Sequence, residues 1–392
     1  MTTHFCTASA RGSASDAGTA LGNALSERLA GHDPELVMVF ASTSQPLAGV
    51  SAALVQRFPG ATVLGASTAG EFTEEGDGKQ GAVACAMSGD FKVSAGLGSG
   101  LSADPQRAVE QALGGGAQAI EGYSHRSALM LLDPLTGRGE EAVLLAGARL
   151  GAGVPLAGGA AGDDLQMSAT HVGCGTSVES DAVVLAVIHS RVPLGLGVSH
   201  GHRPLSEPMK VTRASESTVY EIDGRPAWAV WAEQTRASAA ERGVDPNALQ
   251  DSEVGAYLLR YEAGLPAGAE LKIRAPLSRN DDGSLAFACA IPEGATLRIT
   301  ESVPEAQIES ARRAARQARE RAGTKLAGAI VFDCICRNLI LGDRFGTAVD
   351  AISSELGGVP LAGFETYGEI ALSAGDMSGF HNTTTVVFAV AE

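Results

Sequence analysis

The sequence predicts an α/β protein of layered sheets flanked by helices, and three observations predict it. A unit of strand, helix, strand, turn, strand recurs three times along the 392 residues. Its strands are short and almost wholly apolar, as a sheet covered on both faces requires. Each internal turn ends in Gly followed by an acid: Gly70-Glu71, Gly162-Asp163 and Gly368-Glu369. Units this long and this far apart predict related sheet layers rather than a solenoid.

The elements follow in order. An amphipathic helix over 16–30 puts Leu21, Ala24, Leu25 and Leu29 on one face, with Asp16 as its N-cap. The first unit has a strand at 35–42, a helix at 47–58, a strand running into a Gly-rich turn at 61–72 and a strand at 81–89. The second has the same elements at 127–135, 139–151, 154–164 and 181–190, and the third at 326–335, 345–357, 359–370 and 383–392. A different region lies between the last two. Residues 210–234 read as a strand, a turn at Asp223-Gly224 and a helix, and residues 284–302 as two strands joined by Pro292-Glu293-Gly294. A helix over 302–323 starts with Pro304 and a capping box from Ser302 to Glu305. Its arginines, Arg312, Arg313, Arg316, Arg319 and Arg321, gather toward the end where the helix dipole favours cations. They read as a solvated face, with a docking surface as the sharper alternative.

Composition narrows the function. Apolar residues make up 45% of the chain but aromatics only 5%, so the cores are built from Ala, Val and Leu. A net charge of −16, with no basic segment beyond the Arg-rich helix, argues against binding nucleic acid or anionic membranes. The six cysteines include no CxxC pair and match no disulfide framework. The N-terminal stretch has no apolar signal core and no run of 18 apolar residues occurs, so a reduced, cytoplasmic location is expected.

The stretch GVSHG, Gly197–Gly201, fits the Gly-x-Ser-x-Gly pattern of a hydrolase nucleophile. A nucleophile elbow needs a helix directly after the serine, and Pro204 and Pro208 block one here. Ser199 is therefore expected in a structural, pocket-lining turn, and the chain is expected not to be an enzyme.

The segments VLGASTAGEF, PLAGGAAGDD, VSHGHRP, VYEIDGRPA, DDGSLAFACAIPEGATLRI, FDCICRNLILGDRF, PLAGFETYGEI and HNTTTVVF, in this order, closely resemble FIST-domain proteins. The resemblance runs from about residue 30 to residue 392. It implies an N-terminal FIST domain over 1–195, a C-terminal one over 196–392, and a sensory role in which a small ligand is bound. The chain carries no kinase, cyclase or chemotaxis module, so the signal would pass to a partner in trans. Stand-alone members similar to this chain, the NosP type, imply haem b, nitric oxide as the signal, and a histidine kinase or cyclic-di-nucleotide enzyme as partner. A homodimer is compatible with this. The second expectation is a sensor for an amino acid or other small metabolite without haem.

A b-type haem needs one axial side chain, commonly His, in an apolar pocket. His200 and His202 sit in a Gly-rich stretch after an apolar strand, with Arg203 placed to pair with a propionate. His200 is the first candidate for the metal, followed by His202 and His381. Cys334 and Cys336 would share one face of a strand and, with Arg337, line a pocket; packed core thiols are the bland alternative. The acids at the turn ends either bind a ligand or cap backbone amides. Glu369, Tyr367 and Arg337, with Cys336 beside them, form the best polar set for a ligand pocket.

Overall fold

Each unit begins earlier than its apolar strands suggest. The computed structural model describes residues 2–116, 118–268, 270–323, 325–376 and 378–392. In it a leading strand and helix open every unit: His4–Ala10 with Ala14–Arg28, Lys92–Ser99 with Pro105–Leu113, and Gly195–His200 with Pro304–Ala322. The N-terminal helix and the Arg-rich helix are thus two copies of one element. The expected division at residue 195 falls where the third leading strand begins. Residues 202–302 are inserted between that strand and its helix.

Each unit builds the core of one sheet. In the first, the order is His4–Ala10, Ala82–Ser88, Leu36–Ala41 and Thr62–Ser67. The second and third sheets repeat this with Lys92–Ser99, Ala182–Ser190, His125–Leu132 and Leu156–Ala160, and with Gly195–His200, Thr384–Ala391, Leu326–Cys334 and Leu361–Thr366. The last two strands of each set run parallel, joined by the helices Leu47–Arg57, Gly139–Leu150 and Phe345–Glu355.

The Gly-acid dipeptides mark where the chain leaves its own sheet. Glu71–Thr73, from the first unit, pairs with Leu361–Thr366 of the third sheet. Val172–Cys174, from the second, pairs with Thr62–Ser67 of the first sheet. Glu369–Leu372, from the third, pairs with Leu156–Ala160 of the second. The three units close a ring by passing one hairpin each to a neighbour.

The inner faces of all three sheets share one core, centred on Phe40, Phe332 and Phe364, with the Phe40 and Phe364 rings stacked at 4.6 Å. Helices cover the outer faces with Ala-rich surfaces, including Ala311, Ala314, Ala315, Ala318 and Ala322 over the third sheet. Two leading strands use glycine to let the helix in. A Cβ at Gly197 would stand 1.9 Å from the Ala314 carbonyl oxygen, and one at Gly98 would stand 1.8 Å from that of Ala108.

The inserted region forms a nine-stranded sheet with its own core around Trp231, Tyr261 and Phe287. It enters and leaves at one place, where His202 pairs with Ser302 and Pro204 with Thr300. Among the described residues no helix is long and apolar enough to cross a membrane.

Local expectations need correction at three points. Ser13, not Asp16, caps the first helix, its hydroxyl accepting from the Asp16 amide. The helix after Ser302 is capped by Val303 without a side-chain bond; Ser302 Oγ instead accepts from Gln307 Nε2, and Glu305 pairs with Arg344 at 2.6 Å. The strand expected to reach residue 335 ends at Cys334, because Ile335–Leu341 turns into a helix.

Candidate functional site

The first unit carries an open cleft of about 380 Å³ between its leading strand and its departing hairpin. Ser9, Arg11, Glu71, Thr73, Asp77 and Gly81 line it. Glu71 is the buried floor. Its Oε1 accepts from the Gly81 amide at 2.7 Å and its Oε2 from the Thr68 hydroxyl at 3.0 Å. Burial pushes the Glu71 carboxyl up to about 7, with these donors and the Arg11 charge pulling the other way. Among the described residues Arg11 forms no ion pair. Behind Glu71 lies Glu365, packed so close that a Cβ at Gly70 would meet its carboxyl carbon at 2.6 Å. Asn338 donates to Glu365 Oε1 at 2.6 Å, while Oε2 is buried with no partner among the described residues. Burial first, then the charges of Asp333 and Glu71, push Glu365 up to about 8.

The third unit repeats the arrangement in register. Ser199 pairs with Thr385 and His200 with Thr384, as Ser9 pairs with Val83 and Ala10 with Ala82. Glu369 takes the place of Glu71, accepting from the Thr366 hydroxyl at 2.5 Å and the Thr384 amide at 3.1 Å. Here the inserted domain closes the cleft. Thr383 Oγ1 donates to Glu262 Oε1 at 2.8 Å, and Glu262 Oε2 stands 3.7 Å from His202 Nε2, both side chains fully buried. Among the described residues Glu262 Oε2 and both ring nitrogens of His202 have no hydrogen-bond partner, while His200 Nδ1 accepts from the His202 amide at 3.2 Å. Burial, then the neighbouring Glu369, push the Glu262 carboxyl up to about 8, and burial keeps both histidines neutral. In the second unit the acid folds into its own loop: Asp163 accepts from the amides of Met167, Ser168 and Ala169.

The three turn-end acids therefore all bond backbone amides, and in the first unit the acid also borders a cleft. His200 and His202 lie in one seam, ring centres 6.0 Å apart. His381 is half-buried close by, its Nε2 bonded to the Ala371 carbonyl and its pKa pressed down to about 3 by desolvation of the ring. Arg203 turns away, exposed, to Glu301 at 3.0 Å. The stretch around Ser199 is a strand, a bend at Gly201 and a second strand in another sheet, with Ser199 Oγ accepting from Arg313 Nε at 2.7 Å.

The expected pocket of Cys336, Arg337, Tyr367 and Glu369 does not assemble. Cys336 and Arg337 ride on the helix after the strand, not on the strand face. Arg337 is fully buried and bonded to Asp333, Gln307 and Ser310. Tyr367 donates to Asp163 at 2.6 Å. The arginines of the third-unit helix lie on its exposed face, as a solvated face requires: Arg316 and Arg319 pair with Glu355, Arg313 bonds the His200 carbonyl and Arg321 that of Leu196.

The seam as it stands does not fit a haem. Neutral imidazoles suit an iron ligand, but the surroundings are carboxyl groups rather than an apolar wall. The glycines expected to admit a flat ligand admit the helix instead: a Cβ at Gly201 would stand 2.7 Å from the Gln307 amide. Among the described residues no three His, Cys, Asp or Glu side chains converge into a metal site.

Sequence reasoning missed Arg11, Asp77, Glu262 and Glu365. Glu262 had no motif around it; Glu71 carried the one signal available, the repeated Gly-acid turn.

The three sheets form a cyclic set, with an open cleft where the first unit's hairpin departs. The FIST N domain matches residues 35–225 and the FIST C domain residues 230–372, so the chain belongs to the FIST family. FIST domains mark a small-ligand-sensing role in signal transduction. Two relatives, the uncharacterized proteins Mb0898c of Mycobacterium bovis and MT0897 of Mycobacterium tuberculosis, are each 30% identical over 205 residues. That match covers 50% of this chain and 51% of each relative, so the chain spans about half the length of the curated relatives it matches.

Proposed function

We propose that this chain senses a small zwitterionic metabolite, of the size of an amino acid, in the first-unit cleft and signals by binding rather than by turnover. One observation carries the reading. The cleft is lined by the Arg11 guanidinium, which forms no ion pair among the described residues, together with the carboxyl groups of Glu71 and Asp77, in a volume suited to such a molecule. Arg11 takes the carboxylate and the acids take the ammonium. The output passes to a partner enzyme in trans, of the histidine-kinase or cyclic-di-nucleotide class that the family resemblance suggests.

The test is calorimetric titration with the common amino acids, on wild type and on Arg11→Ala and Glu71→Gln. Saturable binding by one class of amino acid, weakened at least tenfold by both substitutions, supports the reading. Saturable binding untouched by either moves the ligand elsewhere.

A haem-based nitric oxide sensor is the second reading, favoured by the neutral His202 ring, whose nitrogens have no partner among the described residues. It requires the inserted domain to move off the seam. Hemin titration decides it: a one-to-one Soret shift abolished by His200→Ala or His202→Ala supports haem, and no saturable shift removes it.

A further inference from the structure

We propose that residues 202–302 form a lid over a second, hidden copy of the cleft at the third unit, and that the group this lid closes on is an organic ammonium. The inference is independent of what binds in the first-unit cleft.

Register defines the second copy. His200 and Ser199 occupy the strand positions of Ala10 and Ser9, and Glu369 occupies that of Glu71. Glu262 of the inserted domain lies where the first-unit cleft is open.

The chemistry of the seam names the ligand class. Glu262 and Glu369 stand close enough for each charge to oppose the other, and among the described residues neither pairs with a Lys or Arg. The Arg337 guanidinium, whose charge reaches both histidines, is used up by Asp333, Gln307 and Ser310. Among the described residues two buried atoms that face each other, His202 Nε2 and Glu262 Oε2, remain without a hydrogen-bond partner, while His200 accepts from the His202 amide through Nδ1 and so carries its proton on Nε2. Buried polar atoms are nearly always partnered, so a group of them calls for a partner. A primary ammonium has three N–H donors and one positive charge. Its nitrogen spans the 3.7 Å between Glu262 Oε2 and His202 Nε2 with ordinary hydrogen-bond lengths on both sides. A metal ion is the weaker match, because a stable site needs more ligands than the two that face each other.

The seam is also built to open. The inserted domain has its own core and joins the body through one paired stalk, His202–Pro204 against Thr300–Ser302. Its other contacts are mainly polar, Lys272 and Arg274 to Glu140 at 3.2 and 2.6 Å and the Ala275 amide to Asn382 at 3.3 Å, with Cys289 packed on the second unit's core. Polar interfaces of this kind let domains move.

The experiment follows the imidazole nitrogens of His200 and His202 by NMR while the full chain is titrated with methylammonium, tetramethylammonium or zinc chloride. The expected result is a saturable shift with methylammonium and none with tetramethylammonium, which has the charge but no N–H. Glu262→Gln weakens it at least tenfold, while Glu71→Gln in the other cleft leaves it intact. Thr383→Val, which removes only the hydroxyl holding Glu262, weakens it less and serves if Glu262→Gln does not fold. Seam amides such as Ala275 exchange more slowly with methylammonium bound. No saturable shift means the seam holds only water and overturns the proposal. So do equal responses to the two ammonium ions, a response to zinc alone, or full retention in Glu262→Gln.

Discussion

Replacing Glu262 by Gln removes one ionisable group from the seam and keeps its shape, since the amide oxygen can still accept from Thr383. Burial holds this carboxyl up at about 8, against an ordinary value of 4.5. Between those two pH values the unfolded chain has released the proton and the native chain still holds it. Stability therefore falls as pH rises across the window, by about 1.4 kcal/mol per unit for this one group. From pH 5.5 to pH 7.5 the wild type should lose about 2 to 3 kcal/mol relative to the Gln variant. Urea unfolding followed by tryptophan fluorescence measures it, because both tryptophans, Trp228 and Trp231, lie in the inserted domain. The histidines act at the other end. His200, His202 and His381 are held below their ordinary value of 6.5, so their contribution is lost as pH falls below it. Only the alkaline limb should flatten in Glu262→Gln. Parallel pH profiles for the two proteins would refute the reasoning, because they would mean that Glu262 ionises in the native seam as it does in the unfolded chain.

Three further outcomes follow from contacts already described. Gly197→Ala should cost about 3 kcal/mol or more, since the new methyl meets the Ala314 carbonyl and the helix must lift; thermal unfolding checks it. Arg337→Leu leaves Asp333 charged and unpaired in a fully buried site, and should destabilise by about 3 to 5 kcal/mol in denaturant titration. Arg316→Ala breaks a half-exposed pair with Glu355 that Arg319 also serves, so its cost should stay below about 1 kcal/mol in the same assay.

The sheets were legible in the sequence because a strand covered on both faces must be apolar along its whole length. That is how Leu36–Ala41, His125–Leu132 and Leu326–Cys334 stand out. The leading strands were hidden for the opposite reason. Lys92–Ser99 is a half-exposed edge, and Gly195–His200 is cut off from its helix by the inserted domain. The Gly-x-Gly spacing of Gly195 and Gly197, matched by Ala314 and Ala318 on the helix, was the available sign of close packing. The polar sites were less legible. Arg337 looked like a pocket residue because its partners, Gln307 and Ser310, come from a helix far away in sequence. Glu262 becomes conspicuous only when folding sets it against His202 and Thr383. A hairpin's own residues also do not specify which sheet it will join.

The exchange of hairpins bears on how the chain is made. Glu71 of the first unit pairs with Phe364 of the third. During synthesis that hairpin must wait, its backbone groups unpaired, until residue 364 has left the ribosome. At ordinary elongation rates the wait is roughly 15 to 60 s. The first sheet lacks its edge until the second unit emerges, and the second until the third does. No third of the molecule is complete before the whole of it, so a nascent chain of this kind passes through a long interval in which chaperones, and not its own fold, must shield its edges.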